Sequence, residues 1–230
     1  MEKKAVIIPA AGSGTRMGSD IPKPFIKISG KSILQRSIEC FLDIDELSQV
    51  VVATSDEYFD DCHSIFSSFD APGISFDVIK GGKERQHSIW NALQIIQPNV
   101  SLVAIHDAVR PFVNSDRIKE CFDVAQRFGG AVLGVPVKDT IKKIDEDSFI
   151  KETPSRSSLW QAQTPQVFKK DLIIEAYRTA LKENFLGTDD ASLVERMDKP
   201  VKMVGSNREN FKITYPIDLE IAKLIIENGL

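Results

Sequence analysis

The residues best suited to chemistry sit in one short loop. The chain reads Pro9-Ala10-Ala11-Gly12-Ser13-Gly14-Thr15-Arg16-Met17-Gly18, and Pro22-Lys23 follow four residues on. Small side chains let backbone N–H groups close around phosphate oxygens. The spacing G-x-G-x-x-x-G differs from the dinucleotide fingerprint, and the loop lacks the Lys-Ser/Thr pair of a P-loop. Two cations, Arg16 and Lys23, stand in the loop instead. A tight strand-to-helix connection would account for the glycines but not for the cations. Displacement at an α-phosphorus accounts for both. Negative charge grows there on the equatorial oxygens and on the departing pyrophosphate, and preorganised cations stabilise it.

The elements that must position this loop follow from the apolar pattern. Ala5-Val6-Ile7-Ile8-Pro9 is a short, continuously apolar run, as expected of a strand buried on both faces of a parallel sheet. Ile33, Leu34, Ile38, Phe41 and Leu42 form a helical stripe, and Val50 to Ala53 is a second buried strand. The alternation continues with a helix near Phe59 to Phe69, a strand at Ile74 to Ile79, and a helix bearing Ile89, Leu93 and Ile96. A strand at Leu102 to Ile105 and a helix with Ile118, Phe122, Ala125 and Phe128 on one face lead to a strand at Ala131 to Val135. Helices are expected again around Leu172 to Leu181 and Asp190 to Met197, with a short strand Val201 to Val204. Ile217, Ile221, Leu224 and Ile225 mark a closing helix behind Pro216. This rhythm predicts an α/β fold: a three-layer, mostly parallel Rossmann-like sheet with helices on both sides.

The rhythm breaks over 137–163, where Ile141, Ile144 and Ile150 are diluted by charged and polar residues around a turn at Asp145 to Ser148. The segment reads as a projecting β-arm of a single 1–230 domain, and such an arm is most easily buried against a second subunit. A homodimer is expected.

Composition narrows the partners. The 230 residues are 42% hydrophobic and 27% charged, and no apolar run approaches the roughly 20 residues of a membrane span. The net charge of -4 argues against nucleic acid as partner, so a phosphate ligand must meet locally concentrated cations. Met1-Glu2-Lys3-Lys4 runs straight into the first strand without a secretory signal, so the expected compartment is the cytoplasm. Cys40, Cys62 and Cys121 fit buried reduced thiols. His63, His87 and His106 show no ligand spacing, and His106 beside Asp107 reads as a packed or capping histidine. Trp90 and Trp160 read as packing residues of core and arm. Asp107, at the end of a strand that should open onto the ligand crevice, reads as a turn residue or, with Arg110 nearby, as a group for acceptor hydroxyls or magnesium. Lys212 lies between Phe211 and Ile213, and strand alternation would point it away from their face.

With these residues in view, the chain resembles the 2-C-methyl-D-erythritol 4-phosphate cytidylyltransferases of non-mevalonate isoprenoid synthesis. The resemblance rests on PAAGSGTRMG with PK, GGKERQHS at Gly81 to Ser88, HDAVRPF at His106 to Phe112, and PVKDT at Pro136 to Thr140. It extends through SRSSLWQAQTPQVF at Ser155 to Phe168, TDDAS at Thr188 to Ser192 and NFKIT at Asn210 to Thr214, nearly the whole chain in the family's order.

The resemblance implies a nucleotidyltransferase that uses CTP, a sugar-alcohol phosphate and Mg²⁺, the metal being held mainly by the CTP phosphates with Asp107 as a further candidate ligand. Arg16, Lys23 and Lys212 match the phosphate-stabilising cations, and Ala10, Ala11, Gly12, Gly82 and Ser88 match positions around base and ribose. Asp107, Arg110, Thr140, Arg156, Thr164 and Thr188 match acceptor-binding positions, with Thr140 and Arg156 reaching a neighbouring subunit's site from the arm. Three departures stand out: Lys83 where the family often has an acidic residue, Pro24 where it often has Gln, and Val109 in place of Ala. The Val109 form is shared with ribitol 5-phosphate cytidylyltransferases, so ribitol 5-phosphate is the alternative acceptor.

Overall fold

Each apolar run buries alternate residues on opposite sides of one sheet. In strand β1 (Lys3–Pro9), Val6 and Ile8 join one core cluster while Ala5 and Ile7 join another. Strand β4 (Leu47–Thr54) divides Val50 and Val52 from Val51 in the same way, and β6 (Val100–Ile105) divides Leu102 and Ala104 from Val103 and Ile105. Period-2 alternation thus feeds two cores. The computed structural model describes residues 2–12 and 21–229.

Four more strands complete the sheet: β5 (Ser75–Lys80), β7 (Gly130–Pro136), β10 (Trp160–Lys169) and β11 (Lys202–Gly205). Its order is β11-β7-β10-β6-β1-β4-β5. Helices α1 (Ile33–Glu39), α2 (Phe59–Ser67) and α4 (Ser115–Phe128) cover one face through Leu34, Phe66 and Phe122. Helices α3 (Arg85–Leu93), α5 (Lys170–Lys182) and α6 (Asp190–Glu195) cover the other through Ile89, Tyr177 and Leu193. A third, small cluster with Ile28, Ile33, Val109 and Ile213 seats the closing helix α7 (Pro216–Glu227) through Ala222. The three-layer, mostly parallel α/β expectation is met. Burial pushes the Cys62 thiol up to about 12 and Cys121 well above its ordinary range, so both are protonated packing residues.

The fold departs from the sequence expectations at several places. Strand β10 is antiparallel to both β6 and β7, and its first residues, Trp160 to Ala162, pair with Pro136 to Gly134. The projecting part therefore ends before 160, not at 163. Its hairpin consists of β8 (Lys143–Ile144) and β9 (Ile150–Glu152), closed by the Phe149 N–H donating to Asp145 Oδ1 at 2.8 Å. A two-stranded ribbon, β2 (Lys27–Ile28) with β3 (Lys31–Ser32), is too short to leave a periodic signal. In α7 the expected core stripe is reversed: Ile217, Ile221 and Leu224 are exposed, because the helix seats on Ala222, Leu219 and Ile226. Phe128, at the last turn of α4, is also exposed, with the Lys202 ammonium 5.3 Å from its ring centre.

Candidate active site

Strand order reverses at β1, with β4 on one side and β6 on the other. Crevices form at such a point beyond the carboxyl ends of parallel strands. The cavity of about 610 Å³ lies there, lined by Pro9 to Gly12 after β1, Gly82 to Arg85 after β5, and Asp107 to Val109 after β6. Lys23, Pro24, Ser88 and Lys212 complete its walls.

Two glycines let these walls meet. A Cβ on Gly81 would lie 2.4 Å from the Ala11 Cβ, and one on Gly82 would lie 2.4 Å from the His87 Cβ. The Gly82 N–H donates to Ser88 Oγ at 2.9 Å, and that hydroxyl donates to the Glu84 carbonyl at 3.2 Å. The Ser88 oxygen is therefore oriented by its own helix start, a poor arrangement for a nucleophile that needs an adjacent base.

Asp107 is the charged hub. Arg85 Nε lies 3.4 Å from its Oδ1, while Arg110 Nε at 3.2 Å and Lys212 Nζ at 3.1 Å share Oδ2. Burial alone would push this carboxyl up, but Arg85, Lys212 and Arg110 outweigh it and hold the group well below the usual carboxylate range. Arg110 also donates to the Asn210 carbonyl at 2.7 Å, which ties the segment bearing Lys212 to the end of β6. Residues 210–214 form no strand, so the alternation that would have aimed Lys212 outward does not operate there. Lys23 is only 8% exposed, in the 3-10 turn Lys23–Phe25 behind Pro22.

Behind Asp107 is a buried polar clamp. The Asp107 N–H donates to Thr164 Oγ1 at 3.0 Å, and that oxygen lies 3.1 Å from His106 Nδ1. The other ring nitrogen of His106 lies 3.0 Å from the Arg110 carbonyl. Nε2–H then donates to the carbonyl, and Nδ1 accepts from Thr164. Burial drives His106 down to about 4, although the Arg110 carbonyl opposes the shift, so the ring is neutral near pH 7. His106 is a packed histidine, as its sequence context suggests.

The sequence-predicted residues thus fall into three groups. Ala10, Ala11, Gly12, Lys23, Gly82, Ser88, Asp107 and Lys212 line one cavity, and Arg110 backs it. Thr164 is buried behind Asp107 and spends its hydroxyl on the clamp, while Thr188 is exposed on the loop between α5 and α6. Thr140 and Arg156 are exposed on the arm, where Arg156 donates to the Lys138 carbonyl at 2.7 Å. Arg16 lies outside the described residues.

Two residues of the site escaped the sequence reading. Arg85 donates to both carboxylate oxygens of Asp190, at 3.0 and 2.8 Å, besides facing Asp107. One signal was available. Arg85 opens helix α3, where the helix dipole disfavours a cation, so a specific anionic partner was to be expected.

Magnesium was expected mainly on the CTP phosphates. Among the described residues no group of three or more His, Cys, Asp or Glu side chains converges on a metal position. Among the described residues the carboxylates lining the cavity are Glu84 and Asp107, and Asp107 is already matched by three cations. This donor set does not fit a protein-held Mg²⁺, and direct ligation by Asp107 is disfavoured.

A family model described as 2-C-methyl-D-erythritol 4-phosphate cytidylyltransferase matches residues 4–228. The protein of that name from Caldanaerobacter subterraneus subsp. tengcongensis is 45% identical over 226 residues, which is 98% of this chain and 99% of its own length. Its namesake from Clostridioides difficile is 45% identical over 225 residues, 96% of this chain and 93% of that protein. The crystal structure of 4-diphosphocytidyl-2C-methyl-D-erythritol synthase from Anaerococcus prevotii superposes with a TM-score of 0.87 at 28% identity, covering 98% of this chain and 99% of the other. That of the Thermus thermophilus cytidylyltransferase gives 0.79 at 30% identity, over 99% and 100%.

Proposed function

This chain belongs to the 2-C-methyl-D-erythritol 4-phosphate cytidylyltransferase family, and from that premise we propose that it transfers CMP from CTP to 2-C-methyl-D-erythritol 4-phosphate. The products are 4-diphosphocytidyl-2-C-methyl-D-erythritol and pyrophosphate. The observation that carries this reading is one cavity in which a small-residue loop, three lysines and an ion-paired aspartate face each other.

The chemistry follows from charge. An oxygen of the acceptor's phosphate monoester attacks the α-phosphorus in line, and the P–O bond to pyrophosphate breaks. That phosphate has a second pKa of about 6 and is already anionic near pH 7, so no protein base is needed. Mg²⁺ carried on the triphosphate, as part of the substrate, would neutralise some of its charge. Lys23, Lys212 and Arg16 carry the remaining electrostatic work on the α-phosphoryl oxygens and leaving group, where charge increases most. Ala10, Ala11, Gly12, Gly82 and Ser88 hold the cytidine part mainly through backbone groups, which suits a site whose walls are this small. Asp107 accepts from acceptor hydroxyls, with Arg110 and the His106–Thr164 clamp keeping it ionised and aimed.

The arm completes the site in this reading. Phe149 is 70% exposed at its tip, and Ile144 and Ile150 are exposed beside it. A second copy covers these residues, and Thr140 and Arg156 serve the partner's acceptor. No helix among the described residues is long and apolar enough to cross a membrane, and the compartment we propose for this small-molecule chemistry is the cytoplasm.

The test is pyrophosphate release from CTP, ATP, GTP and UTP in turn, each offered methylerythritol 4-phosphate and ribitol 5-phosphate. Release with CTP and methylerythritol phosphate alone is expected. Release only with ribitol phosphate would move the enzyme to the other acceptor, and no release with either would end the reading.

A further inference from the structure

Among the described residues, Arg85 reaches from the nucleotide half of this site to the acceptor half. It opens α3, the helix that carries Ser88 on the nucleotide side. Its guanidinium grips Asp190 with both terminal nitrogens, at 3.0 and 2.8 Å, and turns its Nε toward Asp107 at 3.4 Å. Asp190 is 1% exposed, opens α6, and also accepts from the Tyr177 hydroxyl. The next residue acts in parallel. Gln86 donates to the Phe185 carbonyl at 2.9 Å and accepts from the Gly187 N–H at 3.0 Å, which pins the loop that carries Thr188.

We propose that Arg85 is a positioning residue that locks the Asp107 carboxylate and the Thr188 loop to the start of α3, so that the acceptor half of the site is built as one unit against the nucleotide half. The proposal rests on the acceptor reading of Asp107 and Thr188 above. Its physical basis is that a planar guanidinium bidentate to one carboxylate has little freedom left, so its third nitrogen fixes where the second carboxylate sits. Asp107 in turn orders Lys212 through Oδ2. A cation at a helix N-terminus opposes the dipole, and buried ion pairs are often replaceable by neutral partners without loss of stability.

Lysine keeps the charge of Arg85 but cannot hold two carboxylates in one plane. Arg85→Lys is therefore expected to raise the acceptor KM, or lower acceptor kcat/KM, on the order of ten- to a hundredfold, with CTP affinity by calorimetry unchanged within about twofold. Removal of Arg85 alone would leave Asp190 buried and unpaired, so the second variant is Arg85→Gln with Asp190→Asn, which removes both charges together. It is expected to fold, as judged by its thermal transition, and to show the same acceptor-selective loss. Equal weakening of CTP and acceptor in both variants would mark a merely structural residue, and unchanged acceptor kinetics would also overturn the proposal. The wild-type enzyme is assayed first. If it shows no acceptor-dependent turnover, the functional reading itself has failed, an outcome distinct from normal turnover that Arg85→Lys leaves untouched.

Discussion

Lys23 and Lys212 enter the cavity from segments far apart in sequence, and each has a different physical reason for being there. Lys23 is held by a rigid turn, with Pro22 before it and Pro24 after, and is largely withdrawn from water. In the proposed reaction, low local dielectric would strengthen its action on developing charge. Lys212 is 42% exposed at its side chain and is steered by Asp107. Lys23→Ala and Lys212→Ala are each expected to lower kcat by about 10²- to 10³-fold, with a much smaller change in CTP affinity, because the contact strengthens in the transition state. Parallel steady-state kinetics and calorimetry check this, and unchanged turnover in either variant would remove that lysine from the mechanism. The sequence made Lys23 legible because it stands beside a glycine-rich loop. Lys212 became legible only through family resemblance, since local alternation pointed it the wrong way. Arg85 went unread because its partners Asp107 and Asp190 lie 22 and 105 positions away along the chain.

At the scale of elements, the strands were legible as apolar runs, but β10 was not. Its Gln161, Gln163, Thr164 and Gln166 are polar; Gln161 is exposed, and the three buried ones are tolerated in a central strand because each is hydrogen-bonded there. Gln166 caps and ties α6 by donating to Asp189 Oδ2 and accepting from the Ala191 N–H, both at 2.8 Å. Thr164 enters the His106 clamp, which makes a prediction about pH. His106 has a folded pKa of about 4 against about 6.5 for an ordinary imidazole, so between those values the unfolded chain takes up the proton and the folded chain does not. Its contribution to stability is intact above pH 6.5 and falls on acidification, by about 2 kcal/mol between pH 7 and pH 5. Urea unfolding at the two pH values should show this loss in the wild type and less of it in His106→Asn. Equal losses would show that the clamp does not exclude the proton.

The arm carries a second element-scale prediction. Charges on Phe149 and Ile150 would repel a covering subunit while leaving the central sheet untouched. Phe149→Glu with Ile150→Glu should shift light scattering from the mass of a dimer to that of a monomer and raise the acceptor KM by about tenfold or more. A dimer of unchanged stability would place the interface elsewhere.

For the whole molecule, the sheet order decides where chemistry happens. Reversal at β1 opens the crevice, and six of the seven strands run in the direction that delivers loop residues to it. A net charge of -4 spread over the chain does not prevent anion binding, because Lys23, Lys83, Arg85 and Lys212 are gathered on the cavity walls. Among the described residues no group of three or more His, Cys, Asp or Glu side chains could hold a metal, and the proposed reaction takes its Mg²⁺ with the nucleotide. Chelation with EDTA should therefore abolish turnover while leaving the thermal transition of the ligand-free protein unchanged. Readdition of Mg²⁺ should restore activity at once, and a fall in protein stability on chelation would indicate a structural metal instead.

In the proposed reaction displacement at the α-phosphorus is direct, driven by position and charge in one cavity, with no covalent enzyme intermediate. The stereochemical course with chiral α-thio-CTP and methylerythritol 4-phosphate tests it most directly. A single in-line displacement predicts inversion at phosphorus in the product. Retention would mean two successive displacements through a nucleotidylated side chain, and would contradict the account.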